Sequence, residues 1–196
     1  PVIATASSAP DIVDPVTGVT RRATSRDIAN IAHLVNELPG FDVFSISTLA
    51  DDAPKGQFSL TRFYAALKNC VKPVRTSVYD IREAEQVIRL GELIAGSKEA
   101  FWERPFINFG YCSIVSPLTM DFDSTETMMY FAEKGITAYG TVAPMGGLST
   151  PLSLAGMLTL MNAEWLAAAT LAQMSREGTS LIYNFLPVFA DMRDGA

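Results

Sequence analysis

Histidine is nearly missing: His33 is the only one in 196 residues, which excludes a site built on two or three histidines. The two cysteines, Cys70 and Cys112, make neither a disulfide framework nor a CxxC metal knuckle, and such usage points to a reduced, cytoplasmic setting. Basic residues are outnumbered, 15 against 21 acidic, for a net charge of −6. That balance argues against nucleic acid, whose phosphates call for clustered Lys and Arg. No GxGxxG follows a first strand and no Walker A run occurs, so the phosphate-cradling nucleotide motifs are absent. The chain has no initiator Met, no signal sequence and no low-complexity linker. It runs from Pro1 to Asp194-Gly195-Ala196, stopping just after an apolar segment. The expectation is a piece of a longer protein.

What is present is a core. Hydrophobic residues make up 48% and charged residues 18%, which suits a globular domain and rules out disordered or coiled-coil classes. Residues 1–25 are turn-rich, and Asp14-Pro15-Val16-Thr17-Gly18 between Ile12-Val13 and Val19-Thr20 predicts a hairpin. Thr24 or Ser25 then caps a helix near 25–38 that stops at Pro39-Gly40. From 26 to 196 one domain is expected, in which apolar strand-like runs at 42–47, 73–78, 106–114, 136–142 and 180–185 alternate with helix-like stretches near 58–70, 80–95, 124–134 and 152–175. Strand starts recur at the length of a βα unit, and runs apolar on both faces suit a parallel sheet covered by helices. A doubly wound sheet and a (β/α)8 barrel both fit. Five strands fall short of eight, so the favoured fold class is α/β of the TIM-barrel type, present as a partial barrel of about five βα units.

Residues 151–174 are long and apolar enough to cross a bilayer. Asn162, Glu164 and Gln173 interrupt them, and a carboxylate is costly in lipid, so a buried helix with no membrane role is expected.

Parallel α/β folds collect their chemistry at the C-terminal ends of the strands. Those ends carry Phe44 and Ser45; Thr76 and Ser77; Tyr111, Cys112 and Ser113; Tyr139, Thr141 and Met145-Gly146-Gly147; and Tyr183, Asn184 and Phe185. Rings, hydroxyls and amides suit enclosure of a small cation better than acid–base or metal chemistry. Taken one by one, the aromatics also fit core packing. Glu164, in an apolar helix, needs a buried partner such as an Arg or a place in the site. Cys112 reads as a buried thiol, and Asp121, Asp123 and Glu126 as caps of the helix that follows.

Several blocks carry a family likeness. Ile136-Thr137-Ala138-Tyr139 precedes Ala143-Pro144-Met145-Gly146-Gly147 and Thr150-Pro151-Leu152-Ser153-Leu154-Ala155-Gly156; then come Asn162-Ala163-Glu164, Leu171-Ala172-Gln173, Ile182-Tyr183 and Asp191-Met192-Arg193-Asp194-Gly195. Upstream stand Ser7-Ser8-Ala9-Pro10, Asp14-Pro15-Val16-Thr17-Gly18, Arg22-Ala23-Thr24, Glu103-Arg104-Pro105-Phe106 and Ser116-Pro117-Leu118. In order and spacing they resemble the trimethylamine methyltransferase family over essentially the whole chain. The segment Val142–Ser149 departs from the family's MPMAGATA run.

The resemblance implies a (β/α)8 barrel that moves a methyl group from a methylated amine, such as trimethylamine or glycine betaine, to the cobalt of a corrinoid. A separate corrinoid protein carries that cofactor, so none binds this chain directly. Any pyrrolysine of the family would lie beyond Ala196. In that setting Phe44, Tyr111, Tyr139 and Tyr183 become candidate walls for the substrate. Glu164 becomes a candidate for positioning it, as more weakly does Asp191, and Met145-Gly146-Gly147 a loop facing the corrinoid. Rival readings are a quaternary-amine binding module without catalysis, and an inactive fragment whose cut sheet edge drives homo-oligomer formation.

Overall fold

The structure is a computed structural model that describes residues 2–5, 8–189, 191 and 193. The predicted hairpin is there: β1 (Asp11–Val13) pairs antiparallel with β2 (Thr20–Arg22). The Asp14 carboxylate accepts from the Val16 and Thr17 amides and shapes the turn. Gly18 completes it at φ 72°, a backbone state in which a side chain would be strained.

Helix α1 (Ser25–Glu37) starts directly after Thr24. The buried Asp27 carboxylate accepts from the Thr24 amide at 2.9 Å and from both terminal nitrogens of Arg21 at 2.8 Å. The Arg21 hydrogen bond is the largest influence holding its carboxyl well below the usual carboxylate range. A carboxyl with a depressed folded pKa contributes stability above its unfolded value of 3.8, and that contribution fades as pH falls toward the folded value. Because the Arg21 side chain is 42% exposed, solvent screening trims the gain to about 1 kcal/mol. Asp27→Asn should therefore lower the melting temperature at pH 7 and flatten the loss of stability below about pH 4. Melts across pH check this, and matching curves for the two proteins would remove the role given to the pair.

The remaining elements are β3 (Phe44–Ser45), α2 (Phe58–Leu67), β4 (Val74–Ser77), α3 (Ile81–Ala95), α4 (Lys98–Glu103), β5 (Ile107–Tyr111), β6 (Ile114–Val115), β7 (Thr119–Met120), α5 (Phe122–Lys134), β8 (Ala138–Val142), β9 (Met145–Gly146), α6 (Leu154–Ser175), β10 (Leu181–Phe185) and β11 (Val188–Phe189). They fall into two compact units, Pro1–Val78 with Arg82–Asn108, and Tyr79–Ile81 with Phe109–Ala196.

In the first unit β3 and β4 run parallel, with Phe44 opposite Val74 and Ser45 opposite Arg75. Helix α1 packs on α2, and α2 packs on β4. From α2 the buried Arg62 donates to Thr76 Oγ1 at 2.7 Å, which ties the helix to the strand. The segment ahead of β1 lies along β3: Thr5 N donates to Val43 O, and Ala9 N to Ser47 O.

In the second unit β5, β8 and β10 are parallel neighbours, with α5 and α6 packed on β8 and on each other. Asp121 caps α5 by accepting from Ser124 N, as its position predicts, and that amide holds its carboxyl below the ordinary range. The parallel sheet has the strand order β10-β8-β5-β4-β3. Each of the five predicted strands is present, in a mixed α/β fold with a five-stranded parallel sheet.

Some elements differ from expectation. Helix α4 and the two-residue strands β6, β7, β9 and β11 are too short to leave a period in the sequence. Cys112 is exposed rather than buried, because the chain leaves the sheet after Tyr111. Helix α6 is only partly buried: Met157, Met161, Glu164, Ala168 and Ala172 form one covered stripe, while Leu158, Leu166 and Met174 are exposed. It is apolar all round, so its composition gives no sign of which side is covered. By length and composition alone it is long enough to cross a membrane.

Candidate active site

Side chains alternate across a strand, and residues opposite each other in neighbouring strands share a face. In the second unit Phe109 is opposite Ala138, Gly110 opposite Tyr139, and Tyr111 opposite Gly140. Across the next pair Ile182 is opposite Tyr139, Tyr183 opposite Gly140, and Asn184 opposite Thr141. Phe109, Tyr111, Tyr183 and Phe185 therefore share one face. Gly110, Tyr139, Thr141, Ile182 and Asn184 share the other.

The first face is the helix side. Phe109 stacks on Phe131 of α5 at 5.0 Å. Tyr183 Oη donates to Asn162 Oδ1 of α6 at 2.6 Å, and its ring lies 4.5 Å from that of Trp165. Tyr111 is buried beside Trp165, Ala168 and Ala169 of α6. Its burial pushes the phenol up to about 12, so the group is neutral at physiological pH.

The second face is turned away from α5 and α6. A Cβ on Gly110 would sit 2.4 Å from Tyr139 Cζ, so the Tyr139 ring lies across β5 in space that only glycine leaves open. Beyond it, Asn184 Nδ2 donates to Thr141 Oγ1 at 2.8 Å. The Cys112 thiol donates to the Thr141 carbonyl at 3.3 Å. Thr141 and Asn184 are the fourth residues of β8 and β10 and Cys112 directly follows β5, at the strand ends where α/β folds place their chemistry, while Tyr139 stands two residues earlier in β8.

The four rings expected to enclose a cation are thus not brought together. Tyr111 and Tyr183 lie on the α6 side of the sheet, and Tyr139 on the opposite side. Phe44 is wholly buried in the first unit, opposite Val74. Thr141 and Asn184 belong to the strand-end residues but are not singled out by the sequence. The signal for them is register, which places them beside each other and two residues beyond Tyr139 and Ile182.

Glu164 has different partners from those expected. The carboxylate is 2% exposed and accepts from Ser116 Oγ and from Leu118 N, each at 2.8 Å. A hydroxyl and an amide stand where the sequence suggested an Arg. Glu164 thereby fastens the tip of the β6–β7 hairpin, which fills the connection from β5 to α5. The Met145-Gly146-Gly147 loop also has an internal account. Gly146 is buried and pairs with Phe189, and a Cβ there would meet the Phe189 ring at 2.7 Å. Gly147 turns the chain at φ 88°, Ser149 Oγ accepts from Met145 N, and Met145 is partly exposed. Asp191 pairs with Arg193 at 2.6 Å.

An apolar groove of about 440 Å³ runs between α2 and α3 in the first unit, lined by residues that include Leu60, Tyr64, Leu90 and Leu93. No strand residue lines it, so it is separate from the strand-end chemistry. Among the described residues no group of three or more His, Cys, Asp or Glu could hold a metal ion.

Comparison with known proteins bears on this geometry. The chain is 32% identical over 181 residues to the glycine betaine methyltransferase of Desulfitobacterium hafniense strain Y51, covering 91% of this chain and 37% of that protein. It is 26% identical over 183 residues to the trimethylamine methyltransferase MttB of D. hafniense strain DSM 10664 / DCB-2, covering 93% and 37%. Against the trimethylamine methyltransferase MttB1 of Methanosarcina mazei it is 28% identical over 184 residues, covering 90% and 36%. The chain spans a little over a third of the length of these curated relatives. The trimethylamine methyltransferase (MTTB) family description matches residues 1–196. The chain belongs to the trimethylamine methyltransferase family.

Proposed function

We propose that this chain forms the amine-binding part of a cytosolic methyltransferase, built on a (β/α)8 barrel, that passes a methyl group from a methylated amine to the cobalt of a corrinoid carried by a partner protein. The observation that carries the reading is the family match over the whole chain, together with relatives named for trimethylamine and glycine betaine. The Tyr139 face supports it. A ring, a hydroxyl, an amide and a protonated thiol fit a reaction whose nucleophile arrives with the partner. When bound, the reduced corrinoid supplies that nucleophile as cobalt(I).

The chain's own task is then to orient the amine and exclude water. The negative face of the Tyr139 ring attracts an ammonium group. The hairpin fastened by Glu164 and the turn at Met145–Gly147 follow β5 and β8, so they border the same strand ends. Met145 and Gly147 are the part of that turn offered to the corrinoid.

The test follows the cobalt(I) absorbance of a reduced corrinoid protein with trimethylamine, glycine betaine, proline betaine and carnitine in turn. Conversion to methyl-cobalt(III) with one of them is expected. Amine binding without conversion would favour a binding module, and no response to any of them would sink the reading. Tyr139→Ala should weaken amine binding by about 1–2 kcal/mol with folding intact. Tyr111→Ala should mainly cost stability. Calorimetric titration and thermal melts of the two variants separate the roles, and unaltered binding in Tyr139→Ala would remove that ring from the site.

A further inference from the structure

We propose that the groove at the N-terminal ends of β4 and β5 binds an amphipathic anion, a carboxylate head on a hydrocarbon tail. Pro73 and Phe106 line it and stand immediately before those strands, so it lies at the end of the sheet away from the strand-end chemistry. Its volume is about 430 Å³, within the range of small-molecule pockets. Leu67 ends α2, Cys70 follows in the turn after it, and Ile94 belongs to the last turn of α3. Arg104 comes from the link between α4 and β5. It is part of the Glu103–Phe106 block of the family likeness, yet neither the fold nor the proposed chemistry gives it a task.

Charge and apolar surface together select the ligand. Two cations, Lys72 and Arg104, line the groove and no carboxylate does, in a chain whose net charge is −6. Neither cation forms an ion pair among the described residues. Lys72 Nζ donates to Val35 O at 2.7 Å and to Leu38 O at 2.6 Å, which fixes the ammonium and leaves one hydrogen to donate. Arg104 is exposed, and its fork of N–H groups matches both oxygens of one carboxylate. The remaining lining is apolar apart from the Cys70 thiol, and Val71 and Ile94 are more than half exposed. A hydrocarbon tail would take that surface out of water, which an inorganic anion cannot do.

Octanoate, octanol and octylammonium share one tail and differ in the head, while propionate keeps the head and loses most of the tail. Calorimetric titration of the protein should show one octanoate site. Octanol should bind about fivefold more weakly, the worth of one solvent-screened charge contact, and octylammonium more weakly still. Propionate should lose more than about tenfold. Cys70 reports the location: it is 5% exposed, and burial pushes its thiol up, so it is protonated and slow to react at neutral pH. In a Cys112→Ser background, octanoate at about ten times its Kd should slow alkylation of Cys70 about tenfold, because only the unliganded fraction reacts. Arg104→Met keeps the stem and removes the charge. It should weaken octanoate about fivefold and change octanol by less than about twofold. Arg104→Glu should remove the preference for octanoate over octylammonium, which a purely structural role does not predict. Octanol binding as tightly as octanoate, equal losses for the two in Arg104→Met, or binding that leaves Cys70 alkylation unchanged overturns the site. Failure of octanoate to bind overturns it too, and none of these outcomes touches the methyl-transfer reading.

Discussion

Gly140→Ala is expected to destabilise the second unit by about 3 kcal/mol, the upper range for forcing a methyl group into a packed core. The new Cβ would lie 2.7 Å from Tyr111 Cε2 and 2.9 Å from Tyr111 Oη. Tyr111 is 4% exposed, and Trp165, Ala168 and Ala169 of α6 stand beside it. Gly110→Ala offers a control with the same chemistry on the opposite face. There the Cβ meets Tyr139, which is only partly buried, so about 1 kcal/mol is expected. What Gly110→Ala should lose instead is amine affinity, because the ring leaves its place. Denaturant unfolding and amine titration of both variants make the comparison. Equal stability losses would sink the assignment of the two tyrosines to opposite faces.

Glu164→Ala is the second large effect, a loss of about 2–3 kcal/mol. The substitution removes two charge-assisted hydrogen bonds at once, to Ser116 Oγ and Leu118 N, and leaves a void in the buried stripe of α6. Leu118 sits at φ 55°, a conformation that non-glycine residues hold only when their surroundings fix it. Loss of the carboxylate should therefore loosen residues 114–120 before the rest of the unit. Glu164→Gln keeps the length and one acceptor, and about half the loss is expected. Hydrogen exchange reads the outcome locally. Unchanged protection at Leu118 in Glu164→Ala would mean that the hairpin holds itself.

Much of the fold was legible because its signals are local. Four of the five parallel strands are four or five residues long, β3 only two, and each falls inside a strand-like run of the sequence, while the helices carry caps or stops such as Thr24, Asp121 and Gly135. Even the Asp14–Gly18 turn follows from residue type. The site was legible only as far as the strand-end rule reaches. That rule gathers Tyr111, Tyr139, Thr141, Tyr183 and Asn184 into one set. Dividing the set by face requires the register of β5, β8 and β10, a long-range property that no single segment carries. Glu164 illustrates the same limit. Its placement in an apolar helix demands partners, yet those partners lie 46 and 48 residues away in a hairpin with no periodic signature.

The strand of backbone that precedes β1 has a consequence for how the sheet can grow. Thr5, Ala9 and the Ser8 hydroxyl occupy carbonyls of residues 43, 46 and 47, so the outer side of β3 is already capped by the chain's own N-terminal backbone. On β10, Leu181–Phe185 pairs with β8 on one side, and its other side has no strand partner among the described residues. Among the described residues a further strand beside β10 would displace no strand, whereas one at β3 would have to evict a segment already hydrogen-bonded there. The block on β3 is thus set by Thr5, Ser8 and Ala9.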